Sequence, residues 1–449
     1  MKTILDRAKG SPLDIRSGPL DDADIMALLS PHAQQFRTLD FVTGYWSDIQ
    51  EFSEAVSGPL PLLHTLKVHA VEYDMMGPET TNPSSAPLFS GAVNLKKFVL
   101  LSEGLPFLNR FAFPNLTTFG LTAMQENDQF PVSQLLSFLE ATPTLRTVHI
   151  EIVGEMSFEC VPPDRVIVLP NVEEFTLTED EYGYNIATHI SCPSASHTSL
   201  VYVQPPGHEM PQEVFPTSVP WNAIASRYTM KPIDGVLLMM STVRSGLSCS
   251  LSFLSPGPAT LKLGYRMIVK DEDDEDIDID MDLGEAYHKV FSDASKAIRN
   301  HPLLANVKRL RILDRPTHPI FDLLGRIAKE VGELFKSLGP LEELTLNVFD
   351  LRPYLAPFLD PPPFQYVKQP DAFPSIKELT IAGPEPLRED CCAAVVEFAK
   401  SQHTLNVPFE RVIFHMKDPP LAMGERLEPW VGIVCFLEMI TTGEDQNLV

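Results

Sequence analysis

Cysteine is scarce and unpatterned in this chain of 449 residues. The six are Cys160, Cys192, Cys249, Cys391, Cys392 and Cys435. None forms a C-x-x-C, and the adjacent Cys391–Cys392 pair suits neither a shared metal site nor an ordinary disulfide. A disulfide framework is therefore excluded, and reduced, buried thiols in an intracellular protein are expected. Positive charge is scarce as well: 35 Lys and Arg stand against 60 Asp and Glu, for a formal net charge of -25. Phosphate binding is driven by clustered cations, so nucleic acid and anionic membrane surfaces are excluded as partners. No apolar run reaches membrane-spanning length, the best candidates being broken by Arg244 and Glu438. The opening Met1 to Gly10 lacks the apolar core of a signal peptide. We expect a soluble protein of the cytoplasm or nucleus.

Motifs that carry chemistry are missing too. There is no G-x-S-x-G, Walker loop or G-x-G-x-x-G. His149-Ile-Glu151 has the H-x-E of a zinc deaminase, but no P-C-x-x-C follows it. His208-Glu209 lacks the second His of H-E-x-x-H. The run Asp271 to Asp282 is acidic at nine of twelve positions. As a calcium loop it fails, because starts at Asp276 and Asp278 put Met281 and Leu283 where Gly is needed. It reads instead as a solvated, flexible acidic loop, since such dense like charge repels. No catalytic residue, metal site or cofactor is expected. An enzyme with a triad assembled from distant residues is the least favoured reading.

What the chain does have is a recurring phrase, apolar-x-x-apolar-x-apolar. Leu63-His-Thr-Leu66-Lys-Val68 is one copy, Leu116-Thr-Thr-Phe119-Gly-Leu121 another, and Leu341-Glu-Glu-Leu344-Thr-Leu346 a third. Copies start at Phe36, Leu63, Leu95, Leu116, Leu145 and Val172, and again at Val307, Leu341, Ile376 and Phe409. Within each series the starts lie 21 to 35 residues apart, enough for a strand, a turn and a returning helix. The second and third apolar positions alternate onto one face, which predicts a strand. Pro114, Pro143, Pro170 and Pro374 sit two residues ahead of a phrase and end whatever precedes it. Amphipathic stretches at 132–143, 286–300, 320–335 and 392–400 supply the helices.

Strand and helix in alternation predict an α/β leucine-rich-repeat solenoid, a horseshoe with a parallel sheet on its concave face and helices outside. The expected organisation is a cap over 1–35, repeats over 36–182, degenerate repeats rather than a separate domain over 183–270, an acidic loop over 271–285, and further repeats with a cap over 286–449. Residues beside the second apolar position point away from the core and would line the binding wall. Among them Lys67, Lys97, His149, Glu174, Arg309, Arg311, Glu343, Glu378 and Arg411 are the partner-binding candidates. The three arginines stand out in so acidic a chain and suggest an acidic patch on a protein partner. A monomer is expected.

Leu5 to Ile15, the strand lead-ins Phe113-Pro-Asn-Leu116 and Leu169-Pro-Asn-Val172, and the helix-to-strand passage Leu135 to Leu145 resemble the F-box-like leucine-rich-repeat proteins of mushroom-forming fungi. The resemblance implies substrate recognition for a cullin ubiquitin ligase. In that family an F-box upstream of the repeats docks a Skp-type adaptor. No F-box-like run precedes Phe36 here, so adaptor binding is implied only if an F-box lies further upstream. The alternative is an interaction scaffold unrelated to ubiquitin.

Overall fold

The structure is a computed structural model. It describes residues 10–19, 27–44, 46–56, 58–70, 87–102, 108–124, 130–154, 156–179, 185–204, 227, 233–243, 246–255, 260–268, 279–300, 307–315, 324–338, 341–348, 350–359, 375–383 and 386–438. The chain divides into two compact units, Met1–Val203 with Ala223–Met230, and Gln204–Asn222 with Lys231–Val449. Each is mixed α/β; of the twenty strands among the described residues, sixteen belong to mainly parallel sheet and four form two short parallel pairs.

In the first unit the strands are β1 (Leu13–Pro19), β2 (Phe36–Thr43), β3 (Thr65–Ala70), β4 (Lys97–Ser102), β5 (Thr118–Met124), β6 (Thr147–Val153), β7 (Glu174–Glu179) and β8 (His197–Gln204, its last residue counted with the second unit). They pair in chain order, each parallel to the next. Six of these strands fall on the six phrases of the N-terminal half. After β2 each begins two residues past the phrase's first apolar residue, because that residue closes a turn. Leu63 donates its N–H to the Leu60 carbonyl, Leu95 to Ala92, Leu116 to Phe113, Leu145 to Thr142 and Val172 to Leu169, at 3.1–3.4 Å. The next residue joins the ladder: Thr117 N–H donates to the Lys96 carbonyl at 2.9 Å and Arg146 N–H to Thr117 at 2.8 Å.

At four phrases the polar residue ahead ties one turn to the turn before. Asn94 Nδ2 donates to the Pro61 carbonyl, Asn115 to Val93 and Asn171 to Pro143, each at 2.9 Å. Thr144 Oγ1 takes the same place, donating to the Pro114 carbonyl at 3.1 Å. This side-chain ladder explains the Pro-Asn-apolar lead-in, since it satisfies carbonyls that the turns leave unpaired.

Among the described residues of the first unit, α1 (Trp46–Ala55) and α2 (Val132–Glu140) are the α-helices of a full turn or more, and residues 27–29 and Arg227 are also helical. Elsewhere the chain returns through 3-10 turns at Ser30–Gln35, Leu108–Arg110 and Ile186–His189. A repeat of 21 residues, from Leu95 to Leu116, leaves too little chain for a strand, two turns and a full helix. Phenylalanine fills the space instead: Phe98 lies 5.2 Å from Phe113 and 6.0 Å from Phe119, which lies 4.7 Å from Phe138 of α2.

The second unit opens differently. The strands β9 (Gly235–Val243), β10 (Gly246–Leu254) and β11 (Thr260–Ile268) form an antiparallel meander. Degenerate repeats were expected over 183–270, and in this part of it the expectation is corrected. Only two residues separate β9 from β10 and five separate β10 from β11, so no helix can intervene and the strands must reverse. Leu247, Cys249, Leu251 and Phe253 alternate into the core with Ser248 and Ser252 turned away.

From β9 the sheet runs parallel through β12 (Arg309–Arg315), β13 (Glu343–Val348), β14 (Glu378–Gly383), β15 (Phe409–Met416) and β16 (Val431–Glu438). Between successive strands lie α3 (Ile279–Asn300), α4 (Leu324–Ser337), α5 (Arg352–Leu355), α6 (Glu389–Thr404) and α7 (Met423–Leu427). Here all four C-terminal phrases become strands with returning helices. An aromatic row joins the helical layer to the sheet: Phe335 to Phe358 at 4.9 Å, Phe358 to Phe398 at 4.7 Å, Phe398 to Phe409 at 5.1 Å. The acidic loop expected over 271–285 is corrected for its last seven residues, since α3 begins at Ile279. Acidic residues suit a helix N-terminus, where the macrodipole is positive. Residues 271–278, with most of the acidic run, lie outside the described residues. No described helix is long and apolar enough to cross a membrane.

Leu344, 1% exposed near the start of β13, stands in register with Leu310 and Leu379. A carboxylate there would lie in the apolar layer without a partner, so Leu344→Asp should cost about 3–5 kcal/mol. A denaturant melt of the variant matching the wild type would mean that this layer does not hold the second unit together.

Candidate functional site

Because the strands are parallel and in register, outward side chains of successive strands stand in rows. In the first unit one row runs Thr38, Thr65, Lys97, Thr118, Thr147, Glu174, His197. The next runs Asp40, Lys67, Val99, Gly120, His149, Thr176, Ser199. In the second unit a row runs Arg309, Glu343, Glu378, Arg411, Ile433, and beside it Arg311, Thr345, Thr380, Ile413, Cys435. All nine sequence candidates fall in these rows, four in one unit and five in the other. Every one is exposed or half-buried.

Their electrostatics divide them. In the first unit Asp40 collects three cationic groups, Arg16 at 3.8 Å, Lys67 at 3.6 Å and His69 at 3.5 Å, the last contributing charge only when protonated. Beside it Arg37 grips Asp14 with Nε and Nη2, which holds the Asp14 carboxyl down at about 2. Among the described residues Lys97, His149 and Glu174 have no ion-pair partner. In the second unit Arg309 pairs with Asp234 at 2.5 Å and Arg411 with Glu378 at 2.6 Å. The expectation that three arginines wait for an acidic partner is therefore corrected. Two are neutralised by neighbours one strand away, and Arg311 alone of the three is exposed without a carboxylate. Glu342, at the strand lead-in, is likewise shared by Lys308 at 3.0 Å and Lys377 at 3.5 Å, which lowers its pKa. These exposed pairs contribute little to stability and mainly set which charges are left over.

A buried group of titratable side chains lies elsewhere, under the end of β12. Asp314 is 6% exposed, and Tyr354 donates its hydroxyl hydrogen bond to Oδ2. Tyr287 and Cys249, both buried, face the same carboxyl. Burial pushes Asp314 up to about 6, against the opposing pull of the two phenols. Sequence reasoning missed this group because Asp314 simply follows the phrase Val307 to Ile312, where an outward or capping role is the ordinary reading. Its partners come from α3 and α5, far away in the chain. The cluster is sealed from solvent.

The cysteines follow the expectation of burial only in part: Cys192, Cys249, Cys391 and Cys392 are buried, Cys160 is exposed and Cys435 half-buried. All six are free thiols. Among the described residues no group of three or more His, Cys, Asp or Glu is placed to hold a metal ion. No protein-family model matches the chain, and no curated protein matches it.

The Asp314 carboxyl makes a signed prediction. Its folded pKa of about 6 lies above the unfolded value near 3.8. The folded state therefore holds the extra proton, and stability falls as pH rises from about 4 to about 6, by roughly 3 kcal/mol. Asp314→Asn should flatten this part of the stability profile, read from urea melts across that range. A variant whose profile runs parallel to the wild type would assign the titration to another group.

Proposed function

We propose that the chain is a non-enzymatic, protein-binding leucine-rich-repeat solenoid, acting in the cytoplasm or nucleus as the recognition part of an F-box-type ubiquitin ligase subunit. One observation carries the reading: in each unit, side chains of different strands stand in uninterrupted registered rows on the face opposite the core. Such rows suit an extended binding surface rather than an enclosed pocket. The ten phrases, each on a strand and joined by parallel pairing, support the repeat architecture. Lys97, His149 and Glu174 in the first unit, and Arg311 and Glu343 in the second, are the outward groups free to meet a partner. Lys67 in the first unit, and Arg309, Glu378 and Arg411 in the second, shape the outward face of their own unit through their ion pairs. A few such side chains would supply most of the affinity.

The variants Lys97→Ala/His149→Ala/Glu174→Ala and Arg311→Ala/Glu343→Ala should melt within about 0.5 kcal/mol of the wild type, because all five side chains are outward and unpaired. Affinity capture with the wild type should retain a partner that at least one of these variants loses. Capture unchanged in both would remove the registered face from the mechanism. Recovery of a Skp-type adaptor by the full transcript product distinguishes a ubiquitin-linked receptor from a scaffold of another kind.

A further inference from the structure

Among the described residues β16 pairs only with β15, so one edge of its backbone has no strand beside it. An open edge is a template for another strand, and natural proteins guard such edges with charge, proline or shortness. The strand β1, which pairs only with β2, is guarded in this way by Asp14, Arg16 and Pro19. The edge at β16 carries a single charge, Glu438 at its end: Val431-Gly-Ile-Val-Cys-Phe-Leu437 ahead of it runs for seven residues with neither charge nor proline.

This strand is also apolar on both faces. On the outward face Ile433 is 58% and Leu437 51% exposed, with half-buried Cys435 between them. On the core face Val434 and Phe436 are half-buried, whereas Val412 and Phe414, their register partners one strand in, are fully buried. Phe436 stacks on Phe414 at 5.4 Å, but the helix covering them, α7, is five residues long. The hydrophobic layer reaches β16 and stops there unfinished.

We propose that β16 pairs antiparallel with β16 of a second copy of this chain, about a two-fold axis at Cys435. The occupant has to supply an extended backbone to match the open ladder. It has to bring little charge to a stretch that carries none before Glu438, and a second Val431–Glu438 brings that one carboxylate alone, set opposite Gly432. Directly opposed residues must also share a face, so that core continues into core. For a two-fold axis normal to the sheet, this restricts the register to those centred on a residue. Centring on Cys435 sets Ile433 opposite Leu437 of the second copy, Val434 opposite Phe436, and the two thiols opposite each other. The most exposed apolar pair is then mutually covered. Opposed Cα atoms in such a ladder lie about 4.5–5.5 Å apart, within disulfide reach. A formal charge of -25 on each copy opposes the approach, so added salt strengthens the pairing by screening. The dimer stands against the monomer expected from the sequence.

The test uses the full chain carrying Cys160→Ser, which removes the exposed thiol and leaves Cys435 the accessible one among the described residues. Diamide takes two electrons and two protons from two Cys435 thiols and joins their sulfurs. The expected product is a covalent dimer of the 50.0 kDa chain, lost when Cys435→Ser is added. Without oxidant, sedimentation equilibrium should show a reversible dimer, tighter in salt and weakened about tenfold or more by Ile433→Lys or Leu437→Lys. Circular dichroism of both variants should match the wild type, since each side chain is exposed in the single chain. A dimer indifferent to both lysines overturns the proposal. So does a chain that stays monomeric and unlinked, a result that would leave the edge to residues 439–449 or to a foreign strand.

Discussion

Parallel register is the constraint on which the rest of this structure depends. Each strand must present its second and third apolar phrase positions at the same level as its neighbour's, or one face of the sheet loses its core. Leu66, Phe98, Phe119, Val148 and Phe175 meet in this way across the first unit, and Leu310, Leu344, Leu379 and Val412 across the second. The turn closed by the first apolar residue sets the level, and the Asn94, Asn115, Thr144 and Asn171 side chains tie each turn to the one before. The outward rows are a consequence rather than a separate design. Once the core positions are aligned, the intervening residues align as well, and a continuous outer surface follows.

That surface shows how so acidic a chain keeps its sheet together. Like charges opposed across a ladder are destabilising. In the Arg309, Glu343, Glu378, Arg411 row, each end is held by an opposite charge one strand away, Arg309 by Asp234 and Arg411 by Glu378. In the first unit Asp40 draws Arg16, Lys67 and His69 toward one carboxylate. Much of the positive charge on this face is thus spent inside it. Among the described residues Lys97, His149, Glu174, Arg311 and Glu343 stand on these rows without such a pair.

The phrase was legible because each copy repeats one physical demand, two apolar residues on one side of a strand behind a closed turn. Ten copies gave ten strands. The strand Leu13–Pro19 was not legible, because Asp14, Arg16, Gly18 and Pro19 disguise the alternation that guards an edge. The meander at 235–268 was hidden by the same serines that make it a sheet: Ser248 and Ser252 alternate with buried apolar residues at period two, where the eye sought a six-residue phrase. The start of α3 at Ile279 was misread because charge density suggested repulsion, whereas a helix N-terminus favours negative charge. At the candidate face, positions could be read from spacing but pairing could not. Which arginine meets a carboxylate depends on Asp234, which precedes β9 and reaches Arg309 from 75 residues away.

The two buried features that spacing could not reveal act in opposite directions. Asp314, with Tyr287 and Tyr354, places an ionisable group inside the layer that the phrases build, and a charge there works against folding at neutral pH. Its retention is the opposite of what an optimised apolar core would contain. The phenol of Tyr354 gives the reason in geometry: the carboxyl accepts a hydrogen bond from α5, a helix of four residues too short to hold its place by propensity alone. A polar tether of this kind fixes the orientation of a short element where apolar contact would leave it free to slide. Among the described residues no comparable tether joins α7, also short, to the last strand, and the layer there ends on Val434 and Phe436, which are only half-buried.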